Sequence, residues 1–461
     1  MMASAPAAAT PGDWSTPVTI SDSSAGDANN PQIVNSGAVH AVAWERFVGA
    51  ERRVQVASSV DGGATWTVPL TLSAAGATAI EPQLAASGMQ IAAIWRRLDG
   101  ASFRIQSAVT TDGGTSWSVP ATLSAAGSTA RSPHIATDGT TLFATWTRTD
   151  GTDRLEVATS TDNGATWSVP VTLSPVGFDA TTPRVVARAG VATIVWSLTN
   201  GTTSKIQAST STDSGSTWSA PVDVSDVAAS TFFPELVADG STTTATWERF
   251  DGTSSSVQTA FSPDSGATWS SPRTLSAPGG SSEQPQVTTD GTRITVVWFR
   301  GDGSGFVVQT VFSADGGVTW NTPRTLSASG PSQPYPQIAT SNSLITSTWR
   351  LFDGTNHRIQ ASSSSDGGVT WSTPITLSAA LGDAFLPQIA SNDASPVVTW
   401  TRSDAGVFRI QTTRLTAAEP ELAATGAPDA VRHLAAAIAV MSAAGIGLTA
   451  YSRRPARRAA A

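Results

Sequence analysis

The sequence predicts an all-β fold, an eight-bladed β-propeller of four-stranded blades closed by the N-terminal strand, followed by a C-terminal transmembrane helix. Three observations lead there. The 16 tryptophans divide without remainder into two series, Trp14, Trp66, Trp117, Trp167, Trp218, Trp269, Trp320 and Trp371, and Trp44, Trp95, Trp146, Trp196, Trp247, Trp298, Trp349 and Trp400, each advancing by 50 to 52 residues. A fixed period of that length marks a repeat architecture, in which a recurring tryptophan is first a packing residue. Within each period, four short apolar runs are separated by Gly, Asp, Asn and Pro turn signals. Finally, residues 14–21 read as a fourth strand with nothing before it, while residues 387–415 supply three strands and no fourth. Joining the two ends completes an eighth sheet, and ring closure protects the edges that an open array would expose.

In the first complete unit the expected strands are residues 31–34, 39–46, 53–58 and 65–71. The hairpin between the second and third strands carries Val48-Gly49, and Asp-Gly in most other units, as at Asp99-Gly100 and Asp251-Gly252. Asp-Gly supplies the positive φ that tight hairpins require. Between the third and fourth strands the chain reads Ser59-Val60-Asp61-Gly62-Gly63-Ala64-Thr65-Trp66, and this pattern recurs, seven boxes in all, the last ending at Trp371. The aspartate can accept backbone N–H groups across the turn, and glycine takes the conformation a Cβ would disfavour.

Composition narrows the function. Net charge is −8, so nucleic acid has no general electrostatic reason to bind. There is no cysteine, which removes thiol catalysis and thiolate metal sites, and Lys205 is the sole lysine, which leaves little room for Schiff-base chemistry. His40, His134, His357 and His433 stand singly, without paired metal-ligand spacing, so no metal and no cofactor is expected.

The boxes resemble the Asp-box or BNR repeat, Ser-x-Asp-x-Gly-x-Thr-Trp, of bacterial sialidases and many other propeller proteins. By that resemblance Asp61, Asp112, Asp162, Asp213, Asp264, Asp315 and Asp366 are structural, on the face away from any active site. At the other end, Leu422-Ala423-Ala424-Thr425-Gly426, an uncharged stretch at residues 434–451 and Arg453, Arg454, Arg457 and Arg458 follow in order. The stretch spans about 27 Å as a helix, near the ~30 Å hydrocarbon core. This triple resembles a Gram-positive cell-wall sorting signal in the Leu-Ala-x-Thr-Gly variant of actinobacterial class E sortase substrates. The resemblance implies cleavage between Thr425 and Gly426 and attachment of Thr425 to peptidoglycan; a plain membrane anchor is the alternative. The expected division is therefore residues 1–13 as a signal remnant or disordered lead, 14–415 as propeller, 416–433 as linker with the sorting motif, 434–452 as transmembrane helix and 453–461 as a basic cytoplasmic tail.

Internal repeats separate scaffold from site, because residues peculiar to one unit are the candidates for chemistry. Before the proline that opens each first strand stand Asn30, Glu81, Ser132, Thr182, Phe233, Gln284, Tyr335 and Leu386; after it stand Gln32, Gln83, His134, Arg184, Glu235, Gln286, Gln337 and Gln388. After the second-series tryptophan come Glu45, Arg96, Thr147, Ser197, Glu248, Phe299, Arg350 and Thr401. The ligand-binding candidates are Arg184, Phe233, Glu235, Glu248, Tyr335, Arg96 and Arg350, with Arg184 and Glu235 expected on adjacent blades of the channel. A sialidase would need an arginine cluster, a tyrosine nucleophile activated by glutamate and an acid. Tyr335, Glu235 and Arg184 would have to serve; Glu235 with Glu248 or Glu81 would serve a two-carboxylate glycosidase. The leading expectation is a surface-displayed propeller that binds glycan or another extracellular polymer without catalysis, the alternative an exo-acting, sialidase-like glycoside hydrolase.

Overall fold

The computed structural model describes residues 13–22, 26–226, 230–291, 293–301, 303–341, 343–391 and 395–416. These residues form eight four-stranded antiparallel sheets, each running from an innermost first strand to an outermost fourth. Blade 1 consists of Ala28–Ser36, Val39–Val48, Glu51–Ser59 and Leu70–Thr71. Blades 2 to 7 repeat it at residues 79–122, 129–172, 179–223, 230–274, 281–325 and 337–376. Blade 8 takes Ala384–Ala390, Val397–Asp404 and Val407–Arg414 from the C-terminal side and Val18–Thr19 from the N-terminal side. Each first strand packs against those of the neighbouring blades, and that of blade 8 packs against that of blade 1, so the array closes on itself.

The tryptophan series hold the blades together in two ways. Trp44, Trp95, Trp146, Trp196, Trp247, Trp298, Trp349 and Trp400 are fully buried on the second strands. Trp95, for instance, lies in one apolar cluster with Val54 and Val56 of the preceding blade. The first series is partly buried against the same clusters, as Trp117 is here. Truncating a buried tryptophan costs about 3–5 kcal/mol, so each blade junction is a substantial part of the fold's stability.

The observed strands of blade 1 differ from the expected ones by one or two residues at most ends, and by more at two starts, for local reasons. The fourth strand of blade 1 is only Leu70–Thr71, not 65–71. Pro69 has no N–H to offer the ladder. The stretch before it is held instead by Thr67 N–H to the Ser58 carbonyl and by the Thr67 hydroxyl accepting the Ser58 N–H. The first strand, conversely, starts at Ala28, ahead of Pro31, because a β-bulge between Asn29 and Gln32 carries the ladder past the proline. The residue before proline is in the left-handed region in every blade, at the bulge in the seven blades that have one: Asn30, Glu81, Ser132, Thr182, Phe233, Gln284, Tyr335 and Leu386 all have φ between 48° and 55°. A non-glycine residue there carries about 1–3 kcal/mol of strain.

Blade 7 breaks the pattern. Its first strand is only Gln337–Ser341, and its pairing with the second strand shows no bulge. Pro336 has an equivalent in every blade, but Pro334 stands where the other blades have a residue with an N–H, so the ladder ahead of Tyr335 shrinks to the bond from Arg350 N–H to the Pro334 carbonyl.

The sequence-expected segments 1–12 and 417–461, with the sorting motif Leu422 to Gly426 and the apolar stretch, lie outside the described residues. Among the described residues no helix is long and apolar enough to cross a membrane.

Candidate functional site

The Asp boxes occupy one face of the ring. In the first, Ser59 Oγ donates to Asp61 Oδ1 at 2.8 Å, and Asp61 accepts the Thr65 N–H at 2.9 Å and the Thr65 hydroxyl at 2.6 Å. Asp162, Asp213 and Asp264 have the same partners, and these hydrogen bonds, led by the threonine hydroxyl, pull each carboxyl down to about 2. The boxes dock on the turns between first and second strands, as Gly62 N–H does on the Ala38 carbonyl. Their oxygens are spent on the turn. Because the strands alternate in direction, the inter-blade loops and the second hairpins lie on the opposite face, and so do the eight left-handed residues.

At the centre, Gln32, Gln83, His134, Arg184, Glu235, Gln286, Gln337 and Gln388 line a cavity of about 250 Å³, one side chain per blade. Arg184 reaches the next blade and donates to Glu235 through Nε, at 3.1 Å to both oxygens, and through Nη2 at 2.9 Å. Gln286 Nε2 approaches the same carboxylate at 3.4 Å. On the other side His134 Nδ1 accepts the Val185 N–H at 3.3 Å. Burial first, and the Arg184 charge second, push the imidazole down to about 3, so it is neutral at physiological pH.

Around this channel the second-strand candidates engage the left-handed residues. Glu45 is buried and accepts Arg52 Nη1 at 3.0 Å, Asn30 Nδ2 at 2.9 Å and the Glu81 N–H at 3.1 Å. Arg96 Nη2 pairs with Glu81 Oε1 at 2.6 Å. Glu248 is buried, accepts the Ser255 hydroxyl at 2.7 Å, and is raised by burial and by the charge of Glu283; Glu283 is itself raised by burial. Phe233, with Phe232 at 6.4 Å, stands exposed beside them on blade 5.

The densest concentration lies around blade 7, with rings from blades 6 and 8. Tyr335 stacks edge-on to Phe299 at 6.0 Å, and Phe299 to Phe306 at 5.8 Å. The Arg350 guanidinium lies 4.7 Å from the Tyr335 ring centre and 6.0 Å from that of Phe385. Its Nε donates to the Gln333 carbonyl at 2.9 Å, and its pKa is lowered by burial. The Tyr335 hydroxyl donates to Gln333 Oε1 at 2.7 Å.

The structure thus brings Arg184 to Glu235 and Tyr335 to Arg350, but does not assemble the sialidase set. Tyr335 is on blade 7 and its hydroxyl bonds an amide, whereas Glu235 is on blade 5, occupied by Arg184. The two carboxylates offered for a glycosidase also stand apart in chemistry, Glu235 ion-paired in the channel and Glu248 buried under Ser255. Sequence reasoning missed Phe385, Gln333, Glu283 and Glu156. The last accepts Trp146 Nε1 at 2.9 Å where the other blades carry glutamine at that third-strand position, a substitution visible in the repeat alignment.

Among solved structures, the chain is similar to the Trypanosoma rangeli sialidase complexed with 2,3-difluorosialic acid (11% identity, 87% of this chain and 56% of that one, TM-score 0.42). It is also similar to a Hadza microbial sialidase (15%, 71% and 76%, TM-score 0.39) and to the NanB sialidase of Streptococcus pneumoniae (13%, 79% and 70%, TM-score 0.40). The chain therefore spans just over half the length of the trypanosomal enzyme. No curated protein matches it in sequence. The family model described as BNR repeat-like domain matches residues 236–405, so this stretch, from the first strand of blade 5 to the last hairpin of blade 8, is BNR repeat-like sequence.

Proposed function

We propose that the protein is a surface-displayed β-propeller that binds glycan on the face opposite the Asp boxes and does not cleave glycosidic bonds. One observation carries this reading: the side chains that depart from the repeat gather on that rim, and between blades 7 and 8 they form a half-buried platform of Tyr335 and Phe385 with Arg350 between them. An aromatic face beside a fixed guanidinium suits a sugar ring, with C–H groups over the aromatic and a hydroxyl or carboxylate on the arginine. Cleavage is disfavoured because the Tyr335 hydroxyl is held by Gln333 and Glu235 by Arg184.

Screening the purified protein on an array of microbial and host polysaccharides is expected to find a ligand whose affinity drops about tenfold in Tyr335→Ala and in Arg350→Ala, the loss of one stacking or charged contact. No sialic acid should be released from sialosides. Sialoside turnover that disappears in Tyr335→Phe would establish the hydrolase instead.

The second part of the proposal is display on the cell wall. Leu422 to Gly426 would be the sortase motif, residues 434–452 the span that holds the precursor in the membrane, and Arg453 to Arg458 the stop on its cytoplasmic side. In muramidase digests of native wall, mass spectrometry should find peptides ending at Thr425 and carrying a stem peptide. Intact protein ending at Ala461 and extractable with detergent alone would establish a plain anchor.

A further inference from the structure

Blade 7 carries a second constellation beside the aromatic platform. His357 opens the third strand of that blade, His357–Ser364. Its Nδ1 lies 3.2 Å from Asp383 Oδ1, and its Nε2 lies 3.3 Å from Ser332 Oγ. The imidazole is flanked by Phe352 at 5.2 Å and Phe385 at 5.3 Å between ring centres. Its position is fixed by two rings, a carboxylate and a hydroxyl together.

Part of this arrangement is scaffold. In other blades a side chain at the position of Asp383 accepts the N–H that opens the preceding third strand: Asp179 accepts from Asp153 at 2.7 Å, Asp27 from Phe408 at 2.9 Å and Ser281 from Ser255 at 3.2 Å. Asp383 does the same for His357 N–H at 2.7 Å. Two features are not scaffold. Blade 7 places an imidazole at the start of its third strand, so the clipping carboxylate also meets a ring nitrogen. Moreover, Ser332 is the register equivalent of Ser281, which lies inside the first strand of blade 6, Ser281–Thr289, whereas the first strand of blade 7 begins only at Gln337. With Pro334 ahead of Tyr335 the strand is shortened, Ser332 lies outside the ladder, and its hydroxyl meets His357.

A carboxylate on Nδ1 places the proton there, which leaves Nε2 as an acceptor facing the serine hydroxyl. We propose that Ser332, His357 and Asp383 form a nucleophile, a general base and a positioning carboxylate for hydrolysis of short-chain carboxylic esters. The site is at the surface, with the side chains of His357 and Asp383 21% and 38% exposed, which suits a short acyl group on a larger alcohol. An ester also has a better leaving group than an amide. Ser332 Oγ bonds to the acyl carbon as its proton passes to His357 Nε2, and the carbonyl electron pair moves onto oxygen. Arg350 is a cation beside this group, sharing Phe385 with His357 and holding the carbonyl of Gln333, next to the nucleophile. The carbonyl then re-forms, the alkoxide departs with the proton from His357, and water repeats the sequence to release the acid and restore Ser332. The 3.2–3.3 Å separations fall in the range of such pairs without substrate.

The test uses the purified protein, 4-nitrophenyl acetate and a fluorophosphonate probe. The probe should add to Ser332, located by peptide mass spectrometry. Ser332→Ala and His357→Gln should each lower kcat/KM at least about a hundredfold. Asp383→Asn keeps an oxygen for the His357 N–H, and should lower kcat while leaving KM and melting temperature near those of the parent. If a variant melts early, the adduct on the parent protein decides. No adduct on Ser332, or hydrolysis that survives Ser332→Ala while vanishing in His357→Gln, would overturn the proposal; the latter would make the imidazole the nucleophile.

Discussion

Removing the chain up to and including Ser21 is expected to lower the melting temperature by about 10 °C or more, although it deletes only one two-residue strand. The lost contacts join the two ends of the ring. Val18 and Thr19 pair with Thr412 and Gln411, Trp14 bridges Leu415, and Ser15 and Ile20 N–H groups donate to the Arg414 and Ile410 carbonyls. Trp14 packs against a cluster that includes Ile359 and Leu377 of blade 7 and Trp400 of blade 8, while Ile20 is buried with Val42 and Trp44 of blade 1 and Ile410 of blade 8. Burial of two large side chains at about 1.5–3 kcal/mol each, with several hydrogen bonds at about 1 kcal/mol each, amounts to a large share of a normal 5–15 kcal/mol stability. Calorimetry of the truncated protein checks this. An unchanged midpoint would mean that blades 1 and 8 hold together without the closing strand.

The ring was legible because a repeat states the same packing requirement eight times. The tryptophan period, the Asp boxes and the unpaired strand at residues 14–21 each follow from contacts that every blade must make, and the channel series put Arg184 beside Glu235 by register alone. Boundaries were less legible. A proline inside an apolar run reads as the start of a strand, yet Asn30 and its equivalents adopt positive φ and, in every blade but the seventh, the ladder begins earlier. Blade 7 was the hardest to read. Ser332, His357 and Asp383 come from three segments, and each sits at a position where the repeat already tolerates a polar residue, so none stands out alone. The shortened strand around Tyr335, where blade 7 alone adds Pro334 to the proline that every blade has, leaves the serine beside the imidazole.

His134 allows a prediction about pH that uses the repeat as its own control. The imidazole is held at about 3 in the folded ring, by burial and by Arg184, against 6.5 for the ordinary side chain. Below pH 6.5 the unfolded chain takes up a proton that the folded ring refuses, so the contribution of His134 is full above that pH and declines as pH falls toward about 3. Protonation would also put a charge beside Arg184 and remove the acceptor for the Val185 N–H. Between pH 7 and pH 5 the loss amounts to about 2 kcal/mol. Glu156, Glu248 and Glu283, all raised by burial, act in the opposite sense, and the Asp-box carboxylates near 2 act only in more acid solution. Those contributions cancel when parent and variant are compared. Glutamine occupies the His134 position in five blades, as Gln32, Gln83, Gln286, Gln337 and Gln388, so His134→Gln is the substitution the ring already accepts. Urea unfolding at pH 7 and pH 5 should show the stability of the parent falling by about 2 kcal/mol more than that of His134→Gln. Equal falls would mean that the imidazole is protonated inside the ring and that the channel is wet enough to carry its charge.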